Sequence, residues 1–370
     1  MTPPFSTILA GVPAMTPFVG PETIERRRGR PFRLRLGANE SNFGLSPKVE
    51  AAIAAEAGRV NWYCDPEHFE LRSKLAEKHG VEFGNMVIGE GIDGLLGVIV
   101  RAFTDPGDAV VTSAGAYPTF NYHVIGYGGR LEFVPYTEAR ANDVQGLAEA
   151  ARRTGAKLVY LSNPDNPTGS FLGAAAIAHL VAHMPETCLL ALDEAYAEFA
   201  PSGALPPLEA ADPRVIRLRT FSKTHGLAGL RVGYAIAAPE TVAAFDKIRL
   251  HFGVGRLSQI AAATALEDPG FEAEVVRAVA AGRRDYEDLA RSLNLATLAS
   301  HTNFMPFDLE TGARSGRMLE LLEERDVFVR RPGVAPLDRY VRVTVGTPEE
   351  RAAFAEVFRD ALSALEREAV

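Results

Sequence analysis

Cysteine is nearly missing from this 370-residue chain, which carries only Cys64 and Cys188. Two thiols cannot build a disulfide framework or a cysteine-rich metal centre, and so small a supply suits a reducing compartment. Lysine is almost as scarce. Among 39 Lys+Arg the lysines are Lys48, Lys74, Lys78, Lys157, Lys223 and Lys247, so any lysine chemistry has few candidates. No apolar run reaches the roughly 18 residues of a membrane helix. No Lys or Arg precedes Arg26, so a secretory leader would lack its basic start. Positive charge is not in excess, since 47 Asp+Glu leave a formal net charge of −8. That balance argues against non-specific nucleic-acid binding and against an anionic membrane surface. It leaves room for a local basic pocket that binds a phosphate or carboxylate. A cytoplasmic protein is expected.

What is present reads as a globular protein of two domains, with 47% hydrophobic and 23% charged residues. Residues 1–35 are Pro-rich, then Arg-rich (Arg26, Arg27, Arg28, Arg30, Arg33, Arg35). Without interleaved aromatics this cluster reads as a solvated helix face near Glu22 and Glu25. From Ser46 onward helix and strand signals alternate. Ser46–Pro47 opens a helix as N-cap and first turn. Short β-branched or apolar runs at 108–112, 131–134, 158–161, 188–192, 215–220 and 232–236 read as strands, separated by helical stretches. The runs 158–161 and 188–192 lack alternation, as strands buried on both faces do. The pattern predicts an α/β fold with a mainly parallel sheet between helices. Past about residue 250 the texture becomes long helix, then strand pieces at 303–309, 326–330 and 340–345, then a helix from Pro348, which predicts a smaller α+β domain. The expected division is an N-terminal arm at 1–43, a large domain at 44–255 and a small domain at 256–370.

The stretch Thr220-Phe-Ser222-Lys223-Thr-His-Gly-Leu-Ala-Gly-Leu-Arg231-Val-Gly carries the clearest chemistry. A lysine just past a buried strand, in a pocket, can lose its proton by desolvation and act as a nucleophile. Thr220, Ser222 and Arg231 are the donors that a phosphate wants. The other lysines lie in amphipathic helical patterns or at element edges. Asp193 ends the apolar run Cys188–Leu192, where a carboxylate is costly unless paired. Two partners are open to it, a nearby arginine or a cationic heterocycle nitrogen. Asn163-Pro-Asp-Asn166-Pro-Thr-Gly169 forms a shaped turn at another strand's C-terminal end, where open α/β sheets bind ligands. Gly89-Glu-Gly91-Ile92-Asp93-Gly94 enters a helix and offers an anion site at its N-terminus. Among Tyr117, Phe120 and Tyr122, one ring could stack on a planar group. Arg342, alternating with valines, either faces solvent or clamps a carboxylate, and Arg330 and Arg331 pose the same choice.

Together, these motifs resemble the fold-type I, pyridoxal-phosphate-dependent class I/II aminotransferases, and within them the histidinol-phosphate aminotransferase branch. The resemblance spans about residues 34–366. It implies an aspartate aminotransferase-like fold, with Lys223 bonding the cofactor aldehyde and shuttling a proton to and from the substrate. It implies that Asp193 pairs with the pyridine nitrogen, that Tyr196 and Asn166 bond the ring's phenolic oxygen, and that Phe120 stacks on the ring. Arg231, Ser222, Thr220 and the amides at Gly91, Ile92 and Asp93 would hold the phosphate. Tyr63 would reach the phosphate of the other subunit of a homodimer. Arg342 would bind the substrate α-carboxylate and Arg330 its distal phosphate, with Asn39 also on the substrate side.

The chain departs from the family's pattern at Asn39-Glu-Ser41-Asn42, at Trp62-Tyr63-Cys64-Asp65-Pro66 and at Asp93-Gly94. The expected partners are a small amino donor and a 2-oxo acid, first histidinol phosphate and 2-oxoglutarate. No metal is expected. An aromatic-amino-acid aminotransferase and a threonine-phosphate decarboxylase-like lyase are the alternatives, because the cofactor permits either bond to break and the pocket chooses.

Overall fold

The computed structural model describes residues 3–12, 18–205 and 212–368. Strand β1 (Leu34–Arg35) belongs to the smaller of two cores. The next seven strands build one sheet: β2 (Met86–Gly89), β3 (Ala109–Ser113), β4 (Arg130–Val134), β5 (Leu158–Ser162), β6 (Leu189–Asp193), β7 (Val215–Thr220) and β8 (Gly233–Ile236). Their order is β2-β8-β7-β6-β5-β3-β4. The run from β7 to β4 is parallel, and β8 is antiparallel to both its neighbours. Strand β5 is buried at every position and β6 at all but its first, in agreement with the apolar runs 158–161 and 188–192 that lack alternation. Apolar clusters on the two faces of the sheet include Leu96, Ile99 and Phe245 in one and Leu147, Leu180 and Leu192 in the other.

The smaller core holds β9 (Phe304–Asp308), β10 (Val327–Phe328) and β11 (Tyr340–Thr344) with the helices Pro269–Ser292, Gly312–Glu324 and Pro348–Glu368. β1 pairs in parallel with β10, and β11 pairs antiparallel with β9. The segment 34–36 is thereby tied to the C-terminal part of the chain, with Leu34 and Leu36 inside that core. The helix Arg256–Ala265 differs from expectation. Its Ala261, Ala262 and Ala265 pack with Val49, Leu71 and Leu75 against the large sheet. The change of core therefore comes after this helix rather than before it. Its small residues at helical spacing let it lie close on the helix Pro47–Glu56, which the long run of helical texture does not reveal. Among the arginines near the N-terminus, Arg28 and Arg30 meet Asp326 and Arg35 meets Glu22, so the cluster is largely an ion-paired surface.

Candidate active site

Three neighbouring parallel strands end at one edge of the sheet. β5 runs into Asn163–Gly169, β6 ends on Asp193, and β7 ends on Thr220, three residues before Lys223. The register pairs Ser162 with Asp193 and Asp193 with Leu218, so the three loops start side by side. This is where open α/β sheets place ligands.

Lys223 Nζ donates to the Asn39 carbonyl at 2.9 Å and stands 5.5 Å from the Tyr196 ring centre. Burial first, then the positive charges of Arg342 and Arg231, push its ammonium down to about 8. A sizeable neutral fraction at ordinary pH suits a nucleophile. Asn39 organises this corner. Its backbone is left-handed at φ 55°, its N–H donates to Thr344 Oγ1 at 3.0 Å, and its Nδ2 donates to Tyr196 Oη at 2.9 Å. Asn303 Nδ2 donates to the same Asn39 carbonyl at 3.1 Å. Arg342 Nη1 donates to Asn166 Oδ1, and its Nη2 reaches the Gly37 carbonyl at 3.4 Å. Its Nε is buried without a partner. Asn166, Tyr196, Asn39, Lys223 and Arg342 thus form one connected cluster drawn from both cores.

Asp193 is 4% exposed. Tyr160 Oη donates to its Oδ2 at 2.8 Å, and the Ala195 N–H donates to its Oδ1 at 3.0 Å. Burial raises its carboxyl to about 6, against the lowering effect of those two donors. Neither of these two partners is cationic. The carboxylate is therefore poised for a positive group that the chain itself does not bond to it.

The phosphate-type donors also converge. The helix Gly91–Phe103 begins at Gly91 with φ 72°, and its cap residue Glu90 makes no side-chain bond to the free N–H groups. A Cβ at Gly91 would lie 2.6 Å from Arg231 Nη2, and one at Gly233 would lie 3.0 Å from the Ile92 nitrogen. Only glycine leaves this concavity open. Arg231 Nη2 is 3.7 Å from Asp93 Oδ2, and Thr220 Oγ1 donates to Ser222 Oγ at 2.9 Å.

One expected residue sits otherwise than expected. Phe120 is 0% exposed and stacks on Tyr160, with centroids 4.4 Å apart and planes inclined by 16°. It is packed in the core and shows no open face to a ligand, a correction to its expected place on the cofactor ring. Tyr117, at the start of the same helix, is half-buried. Burial, then the nearby Asp93 charge, raises its hydroxyl, and Asp193 adds to this. Arg330 pairs by backbone with Arg342, which brings two cations together. Its guanidinium lies 3.8 Å from the Phe18 ring centre and donates to the Val19 carbonyl, so the N-terminal arm covers it. Tyr63 is 81% exposed, with its ring 4.9 Å from that of Phe252.

Tyr160, Thr344 and Asn303 carry no site signal in the sequence reading. Tyr160 hides in an apolar strand, although a phenol there demands a partner. Thr344 lies two residues from Arg342 on one strand, hence on the same face.

Comparison with known proteins decides the family. The model for "Aminotransferase class I and II" matches residues 33–358. The chain belongs to this family. A histidinol-phosphate aminotransferase 2 of Carboxydothermus hydrogenoformans is 36% identical over 340 residues, covering 90% of this chain and 92% of that protein. A histidinol-phosphate aminotransferase of Roseiflexus castenholzii is 35% identical over 364 residues, covering 95% and 96%. The crystal structure of histidinol-phosphate aminotransferase from Sinorhizobium meliloti, in complex with pyridoxal-5'-phosphate, superimposes with TM-score 0.92 at 46% identity, covering 97% and 99%.

This aminotransferase uses pyridoxal phosphate. Its site fits that group on its own geometry. The glycine concavity beside Arg231 suits a phosphate, the buried Asp193 forms no ion pair among the described residues, and burial lowers the proton affinity of Lys223.

Proposed function

We propose that this aminotransferase exchanges the amino group of histidinol phosphate with 2-oxoglutarate. The observation that carries the choice of substrate is the adjacent pair Arg330 and Arg342, joined through their backbones, each with a buried Nε that has no partner. Two crowded cations call for a multiply charged anion. A phosphate ester answers that in one half-reaction, and the carboxylates of glutamate and 2-oxoglutarate answer it in the other. The names of the similar proteins support the same substrate. No comparable observation favours an aromatic amino acid or a decarboxylation.

Bound here, pyridoxal phosphate supplies an aldehyde carbon for the amino group and a ring that draws electrons from the substrate α-carbon. The chain's own groups do the rest. Lys223 Nζ would hold the cofactor, and its free amine would carry the proton to and from the substrate α-carbon. Asp193 keeps the proton on the ring nitrogen. Tyr196 and Asn166 orient the ring's oxygen. Thr220, Ser222, Arg231 and the amides of Gly91, Ile92 and Asp93 hold the phosphate, and Arg342 with Arg330 fixes the substrate's anionic end. Asn39 ties the lysine to the wall that carries Arg342.

The enzyme is a homodimer in the cytoplasm on this reading. Trp62, Tyr63, Leu250 and Phe252 are 59%, 81%, 70% and 50% exposed, an apolar group that a second copy would cover. Tyr63 then reaches the partner's phosphate site. No helix among the described residues is long and apolar enough to cross a membrane.

The test is product analysis. Purified enzyme given histidinol phosphate and 2-oxoglutarate should form glutamate. Release of carbon dioxide from phosphothreonine, or a clear preference for phenylalanine, would overturn the assignment.

A further inference from the structure

Behind Asp193 lies a contact that the reaction described above leaves unused. β5 and β6 run parallel, and their register sets Tyr160 opposite Ala191, two residues before Asp193. Tyr160 is thus one strand away from the carboxylate, and its hydroxyl donates to Asp193 Oδ2 at 2.8 Å. Both side chains are buried. Burial and the neighbouring negative charge raise the phenol far above its ordinary range, so it stays a proton donor. A phenol in a strand buried on both faces is costly without a partner, and this one directs its only O–H at the carboxylate. Phe120 stacks on the phenol face at 4.4 Å and is itself enclosed by the core around Leu95, Leu96 and Val124.

We infer that Tyr160 is a positioning residue for the reaction: its hydroxyl fixes the Asp193 carboxylate as the acceptor for the ring nitrogen, and Phe120 locks Tyr160 in place. The inference rests on the role given to Asp193 above. Tyr160 touches neither substrate nor cofactor in this role. A donated hydrogen bond lowers a carboxylate's proton affinity. It thereby keeps the proton on the ring nitrogen, where it draws electrons most strongly.

The test is Tyr160→Phe, which removes the hydroxyl and keeps the ring. In cofactor-free protein, infrared difference spectra against Asp193→Asn should show the Asp193 carboxyl protonating at higher pH than its wild-type midpoint. In the holoenzyme, the pH midpoint of the visible coenzyme band should rise by about one unit. The value of kcat should fall about tenfold, with KM within about twofold. Phe120→Leu, which keeps the hydroxyl but loosens it, should shift the band the same way by less, and it serves if Tyr160→Phe does not fold. A lower Tm with an unmoved band and an unmoved carboxyl would overturn the inference and leave Tyr160 a packing residue. Unchanged kcat and band in Asp193→Asn would instead sink the role of Asp193, and this inference with it.

Discussion

The two walls of the pocket are built in opposite ways. On the cofactor side, Asn166, Asp193 and Lys223 follow the ends of adjacent parallel strands within one sheet. Each sits in a short contiguous motif, and its neighbours in sequence are its neighbours in space. On the substrate side, Asn39, Arg330 and Arg342 come from the smaller core and from an arm that covers Arg330 with Phe18 and Val19. Their partners lie hundreds of positions away, as with Asn39 and Thr344. A rigid sheet edge can hold a fixed coenzyme, whereas a wall from a second core can change its anion-binding groups without disturbing that edge.

Breaking the cofactor wall should have the largest effect. Lys223→Ala should lower turnover by about four orders of magnitude or more and abolish the protein-linked visible band. Retained turnover with only a free-cofactor spectrum would show that another group does the chemistry.

Breaking the substrate wall should act on binding instead. Arg342→Ala should raise KM for glutamate about tenfold or more, since a charged hydrogen bond contributes roughly 1.5–3 kcal/mol. An unchanged KM would mean that another group binds the carboxylate.

The dimer contact should matter less still. Tyr63→Ala should weaken cofactor binding about tenfold, read by equilibrium dialysis. Mixing the inactive Lys223→Ala chain with a Tyr63→Ala chain should restore one complete site per mixed dimer. Absence of that recovery would place Tyr63 outside the partner's site.

The smallest effect is a pH dependence. Because the Lys223 ammonium is pushed down to about 8, its reactive neutral form grows as pH rises and levels off above that value. The rate of cofactor capture by the apoenzyme should follow the same curve. A rate still climbing steeply near pH 10 would show an unperturbed lysine.

Much of the cofactor wall was legible because strand, turn and functional group are contiguous there. Thr220–Arg231 could be read as lysine plus phosphate donors before any fold was known. Tyr160 was hidden, since three of its neighbours are apolar and its hydroxyl's target lies on another strand. Phe120 was misplaced by resemblance, because its motif does not show that the ring turns into the core while Tyr117 stays at the site's edge. The helix Arg256–Ala265 packs beside the large sheet, past the boundary expected at residue 256, for a related reason. Amphipathic spacing reports that a face is buried, not which partner buries it.

The most direct measurement is a spectral titration of the purified holoenzyme in single half-reactions, without any oxo acid, using histidinol phosphate, phenylalanine and phosphothreonine in turn. Histidinol phosphate should convert the visible coenzyme band to a shorter-wavelength one at the lowest concentration, and 2-oxoglutarate should restore it. A band that persists with histidinol phosphate but converts with another amine would contradict the proposed substrate.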